Sequence, residues 1–128
     1  EDFARRATRN VATFLGEEAL ERYVVEQRDV YEGIDETDLD RVLLDLPEPW
    51  RAVKHAARAM HPGAVLVAYT PQITQVVQLR EELEAQGFGM LETIEVLNRG
   101  WHIEGQSVRP DHRMVAHTGF LTSARLLS

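Results

Sequence analysis

Cysteine is missing from all 128 residues. That excludes disulfide staples, thiolate metal sites and thiol nucleophiles, and it makes a reducing compartment, the cytoplasm, the natural setting. No apolar run reaches the roughly 18 residues that span a bilayer, and the start is acidic where a secretory leader needs basic residues, so a soluble protein off the membrane is expected. Positive charge is also scarce. Fourteen Lys and Arg stand against 21 Asp and Glu, for a formal charge of −7. Broad electrostatic capture of nucleic acid relies on many phosphate contacts and is disfavoured by that balance. One later segment, with Arg99, Arg109, His112, Arg113 and His117, is locally basic. Low-complexity linkers and internal repeats are absent as well, so no second domain is expected.

What is present is a hydrophobic share of 44%, enough for one core. A chain of this length buries roughly two-thirds of its unfolded surface. Phe3, Ala4, Ala7, Val11, Phe14 and Leu15 recur at helical spacing and Gly16 follows as a stop, which predicts an amphipathic helix over 2–15. The chain opens on Glu1 within that pattern, with no turn chemistry ahead of it, and so reads as a segment of a longer protein. Tyr23 to Gln27 reads as a strand, followed by an acid-rich loop from Asp29 to Asp38. Arg41 to Leu44 reads as a strand buried on both faces. Pro49 suits a first helical turn, and Trp50, Val53, Ala57 and Met60 form a stripe that ends at His61-Pro62-Gly63. The unit repeats. Ala64 to Tyr69 is a strand, and Ile73, Val76, Val77 and Leu83 line a helix closed by Gly87. Alternating strands and helices predict an α/β fold with parallel strands. After Met90 to Leu97 and Gly100 to Ile103, both strands, a loop runs through Gly105 to His117. A last strand, Gly119 to Leu127, has no helix before it, which points to an antiparallel hairpin appended to the sheet.

In open parallel sheets ligands sit at the carboxyl ends of the strands. Two acids stand at such ends, Asp29 and Asp45. Each is read either as a ligand acceptor or as a plain turn former and helix cap. Asp111, His112 and His117 lack sustained ligand spacing, and no metal is expected. His55, His61 and His102 are read as surface or core residues.

Two stretches are more specific: DLPEPW at Asp45 to Trp50, and VRPDHRMVAHTGFLTSARLL at Val108 to Leu127. Together with the intervening AVLVAYTPQITQV and ETIEVLNRGWHIEG they resemble the carboxyl-terminal half of the tRNA (adenine-58, N1) methyltransferase family. The resemblance implies a Rossmann-like class I fold, S-adenosylmethionine as cofactor, tRNA as substrate and a homotetramer. It assigns Asp45 as the catalytic carboxylate, bordering cofactor and substrate, and Asp29 as the acceptor for the cofactor's adenine amino group. The Leu46 carbonyl would accept from the substrate amino group. Trp50 is read as a base-stacking surface or as a core residue, Gln72 as a substrate contact or an exposed first-turn residue. Arg109, His112 and His117 are read as RNA contacts or loop-ordering groups.

The family's glycine-rich cofactor loop lies upstream of this chain's first helix, and no G-x-G-x-x-G occurs here. In the family's order two further strands separate Tyr23 to Gln27 from Arg41 to Leu44, leaving a gap in the sheet. The segment alone is therefore expected to fold poorly and to be inactive. Two alternatives stay open: a corrin-precursor methyltransferase on the same fold, and a non-catalytic tRNA-binding subunit or structural fragment.

Overall fold

The structure, a computed structural model, describes residues 2–113 and 117–128. It divides into two compact units, Glu1–Val30 and Tyr31–Ser128.

In the first unit, α1 (Asp2–Leu15) has the bounds that its spacing predicts. Gly16 ends it by taking φ 91°, a conformation that side chains disfavour, and its N–H still reaches the Ala12 carbonyl at 3.1 Å. A single 3-10 turn, Glu17–Glu21, follows and buries Ala19. The stripe on α1 is present but uncovered within this unit: Phe3 and Phe14 are 82% and 87% exposed. The expected strand over Tyr23 to Gln27 does not form; those residues are irregular. A strand exists only through ladder hydrogen bonds with a neighbour, and none of the described residues pairs with this stretch.

The second unit is a four-stranded sheet with helices on one face. Its strands are β1 (Leu39–Asp45), β2 (Met60–Thr70), β3 (Phe88–Glu95) and β6 (Phe120–Leu126), in the order β1-β2-β6-β3. β1 and β2 run parallel, joined through α2 (Trp50–Ala59). β6 is antiparallel to both β2 and β3, so the antiparallel element is wedged inside the sheet where a hairpin appended to it was expected. α3 (Ile73–Ala85) leads to β3. Against this sheet α2 packs Ala52, Val53 and Ala56, and α3 packs Val76, Leu79 and Leu83, all buried. Leu66, Ala68, Ala124 and Leu126 meet them from the strands.

That arrangement corrects the expectation of burial on both faces. Val42 and Leu44 are buried, whereas Leu43 between them is 78% exposed. Successive residues of a strand face opposite sides, and in this unit only one side carries helices. β2 also starts earlier than its composition suggests. Pro62 lacks an N–H for the ladder, but the β1–β2 register shifts between Leu39 and Arg41, so His61-Pro62-Gly63 is accommodated as an irregularity within the strand. The expected loop over 105–117 contains β5 (Ser107–Pro110), which forms a separate two-stranded ribbon with β4 (Trp101–Glu104). Residues 114–116, part of the RPDHRMVAHTGFL motif, lie outside the described residues. Among the described residues no helix is long and apolar enough to cross a membrane.

Candidate active site

Three segments meet the same edge of the main sheet. Asp45 ends β1 and is level with Tyr69 of β2. Thr70, which ends β2, pairs with Phe120, the first residue of β6, and Phe120 pairs in turn with Glu95, the last residue of β3. The loop 46–49, the Pro71-Gln72 turn and the 117–119 approach to β6 therefore leave one lip of the sheet.

Asp45 is exposed there, on the face opposite to α2 and α3, and among the described residues it enters no ion pair. A carboxylate free of a cationic partner keeps its lone pairs for a ligand. Tyr69 shares that face because partnered residues of neighbouring strands point the same way. It is 43% exposed. Its ring lies on Gly119, where any Cβ would overlap it. Composition did not single out Tyr69, although the alternation that buries Leu66, Ala68 and Thr70 places it on the other face. Thr70 is fully buried, and its hydroxyl has no hydrogen-bond partner among the described residues.

The 46–49 loop is held closely. Pro47 and Pro49 bracket Glu48, and each ring fixes a backbone φ. Pro49, at φ −60°, caps α2 as a buried residue. The Pro47 carbonyl accepts from Gln75 Nε2 at 2.8 Å, and the Glu48 N–H donates to the Tyr31 hydroxyl at 3.2 Å. Arg51 pairs with the Glu48 carboxylate at 2.7 Å while its guanidinium sits 4.4 Å above the Tyr31 ring, an arrangement favourable for both charge and ring quadrupole. His55 Nε2 lies 3.0 Å from the Tyr31 carbonyl. Leu46 and Trp50 flank this loop, both half-buried.

Gln72, exposed, caps α3 at the amino end, and its N–H donates to Gln75 Oε1 at 3.0 Å. His117 is exposed beside the lip, its Nδ1 2.9 Å from the Thr118 carbonyl and its ring stacked on Phe120 at 6.1 Å between centroids. Thr118 fastens that approach: its N–H donates to Glu95 Oε1 at 2.7 Å and its hydroxyl to the Val96 carbonyl at 3.0 Å. Thus Asp45, Leu46, Trp50, Gln72 and His117 border one edge. Arg109 does not; it sits on β5 opposite His102 in the separate ribbon. His112 follows that ribbon as an exposed residue, just after Asp111, whose N–H donates to the Gly100 carbonyl at 2.9 Å. Asp29 is exposed in the first unit, next to Arg28, which pairs with Glu26 at 2.8 Å.

Known proteins resemble this chain in sequence and in fold. A tRNA (adenine(57)-N(1)/adenine(58)-N(1))-methyltransferase of Methanocaldococcus jannaschii is 40% identical over 111 residues, covering 86% of this chain and 39% of its own. A crystal structure of an S-adenosylmethionine-dependent O-methyltransferase from Thermotoga maritima superimposes with a TM-score of 0.83 at 31% identity, covering 99% of this chain and 47% of that one. The tRNA (m1A58) methyltransferase of Aquifex aeolicus gives a TM-score of 0.66 at 26% identity, covering 88% and 48%. The chain thus spans less than half the length of these relatives, and its fold is that of the class I S-adenosylmethionine-dependent methyltransferases. Residues 1–110 match the family profile described as the GCD14 subunit of the tRNA methyltransferase complex, and the chain belongs to that family.

Proposed function

We propose that the protein to which this chain belongs methylates N1 of adenine 58 in the T-loop of tRNA, with S-adenosylmethionine as donor, and that Asp45 is its catalytic carboxylate. The observation that carries this reading is Asp45, exposed at the carboxyl end of β1 and without an ion pair among the described residues, next to a loop stiffened by two prolines. The cofactor's sulfonium supplies the methyl group. An open acid at the sheet lip suits both that cation and the positive charge left on the methylated base. Asp45 can also accept a proton from the neighbouring exocyclic amino group, and the Leu46 carbonyl accepts a hydrogen bond from the same group. Asp29 receives the cofactor's adenine amino group. N1 lies on the pairing edge of the base, so the nucleotide must leave its stack to react. Trp50, Gln72 and His117, bordering the lip, line its path, and Tyr69 adds an aromatic face beside Asp45. Arg109 and His112, on and after the ribbon, contact the RNA outside the pocket.

The M. jannaschii relative supports adenine in tRNA over a corrin precursor as the acceptor. The open Asp45 supports catalysis over a purely tRNA-binding subunit, because a subunit released from catalysis has no need of an uncompensated acid there. We further infer a cytoplasmic homotetramer; the exposed Val96, Trp101, Ile103 and Val108 along the ribbon and its approach favour self-association.

The test is tRNA methylation by the intact enzyme carrying Asp45→Ala. A fall in kcat of about 10²-fold or more is expected, the scale for loss of one preorganised charge-stabilising group. An unchanged rate removes Asp45 from the mechanism.

A further inference from the structure

The Pro47 carbonyl and the Glu48 N–H belong to one peptide unit, and each is held by a side chain from a different part of the fold. Gln75, in the first turn of α3, donates to the carbonyl at 2.8 Å; Tyr31 accepts from the N–H at 3.2 Å. From this we propose that Gln75 and Tyr31 are positioning residues for methyl transfer, a two-sided clamp on the Pro47–Glu48 peptide plane that aims the preceding Leu46 carbonyl at the substrate amino group. The proposal rests on the role given above to Asp45 and Leu46.

The clamp works through covalent geometry. With the 47–48 peptide plane fixed and the Pro47 φ set by its ring, few torsions remain between that plane and the Leu46 carbonyl. Both ends of the Gln75 carboxamide are engaged, Nε2 with Pro47 and Oε1 with the Gln72 N–H. The same side chain therefore couples the loop after β1 to the turn after β2, the two edges between which the base would enter. Tyr31 is itself held: Arg51 covers its ring at 4.4 Å and His55 lies 3.0 Å from its carbonyl. None of these groups needs to touch the substrate. Preorganisation of this kind acts on the reactive geometry, where a misplacement of about 1 Å can cost on the order of 100-fold in rate.

Gln75→Glu separates the clamp from the fold. It keeps an acceptor for the Gln72 N–H, and a carboxylate at a helix amino end is favourable, but it removes the donor to Pro47. In the intact enzyme kcat for tRNA methylation is expected to fall about tenfold or more, with KM for tRNA within about twofold and the thermal midpoint retained. As pH falls and the new carboxyl gains a proton, it can donate again, so the ratio of variant to wild-type kcat should rise. Tyr31→Phe, which keeps the ring beneath Arg51, should act in the same direction. The double variant should lose less than the product of the two single losses, because both act on one peptide unit. The clamp is refuted if kcat is unchanged in both single variants, or if activity falls only in proportion to a lowered thermal midpoint. Asp45→Ala in the same assay tells the two failures apart: an active Asp45→Ala enzyme removes the underlying reading, whereas an inactive one beside fully active Gln75→Glu and Tyr31→Phe enzymes removes only the clamp.

Discussion

Thr70 shows how a position at the lip departs from its neighbours. It ends an otherwise apolar strand, is wholly buried, and its hydroxyl has no partner among the described residues. A buried polar atom without a hydrogen bond costs about 1–3 kcal/mol. Thr70→Val keeps the shape and should raise stability by about 1 kcal/mol in chemical denaturation; a loss would mean that the hydroxyl has a use in the folded protein. Gly119 is the opposite case, where a side chain has no room. Gly119→Ala must displace the Tyr69 ring. Methylation should weaken while the core stays intact, seen as reduced kcat/KM at nearly unchanged near-ultraviolet circular dichroism. Asp45 was legible in the sequence because an apolar strand stopped on an acid before two prolines. Tyr69 and Gln75 were not, since their significance comes from register and from a contact 28 positions away in the chain, and neither leaves a local pattern.

Where β1 and β2 begin, at the end of the sheet opposite the lip, His61 joins them. Its Nδ1 faces the Pro62 carbonyl at 2.8 Å and its Nε2 the Asp40 carboxylate at 3.1 Å. Both partners are acceptors, so only the imidazolium donates to both, and these two contacts hold the His61 pKa above the usual histidine value. A raised folded-state pKa stabilises the fold below the unfolded value near 6.5, and that contribution fades as pH climbs through the higher folded value. Denaturation midpoints should therefore decline from about pH 6 upward, and Asp40→Asn should flatten that slope. Among the elements, α1 and α2 were readable from their strong periodicity, α3 from its apolar positions and the closing Gly87, and β2 from its continuous apolar run. The 23–27 stretch has the composition of a strand without a partner to pair with, which composition cannot reveal. β5 was hidden because Ser107, Arg109 and Pro110 leave Val108 as its single apolar residue.

The molecule as a whole places its main sheet and core in Tyr31–Ser128, while the first thirty residues make up a unit with one buried side chain, Ala19, among the described residues. Deleting residues 1–30 should leave the cooperative unfolding transition of the remainder within a few degrees of its original midpoint. A collapse of that transition on circular dichroism melting would show that the core depends on α1. The α/β class was visible from the alternation of strands and helices. The one-sided covering was not, because consecutive apolar residues such as Val42, Leu43 and Leu44 give the same sequence pattern whether the second face is covered or open.

The placement of β6 has an outcome for biosynthesis. β3 has no described strand neighbour other than β6, so a ribosome that has released everything up to β5 has made a β3 with no strand to pair with. The sheet closes only when residues 120–126 arrive to pair with β2 on one side and with the waiting 88–95 segment on the other. A stop codon between Glu95 and Phe120 would thus strand β3 along with the missing segment, and such truncated products should go to proteolysis and not accumulate as shortened enzymes.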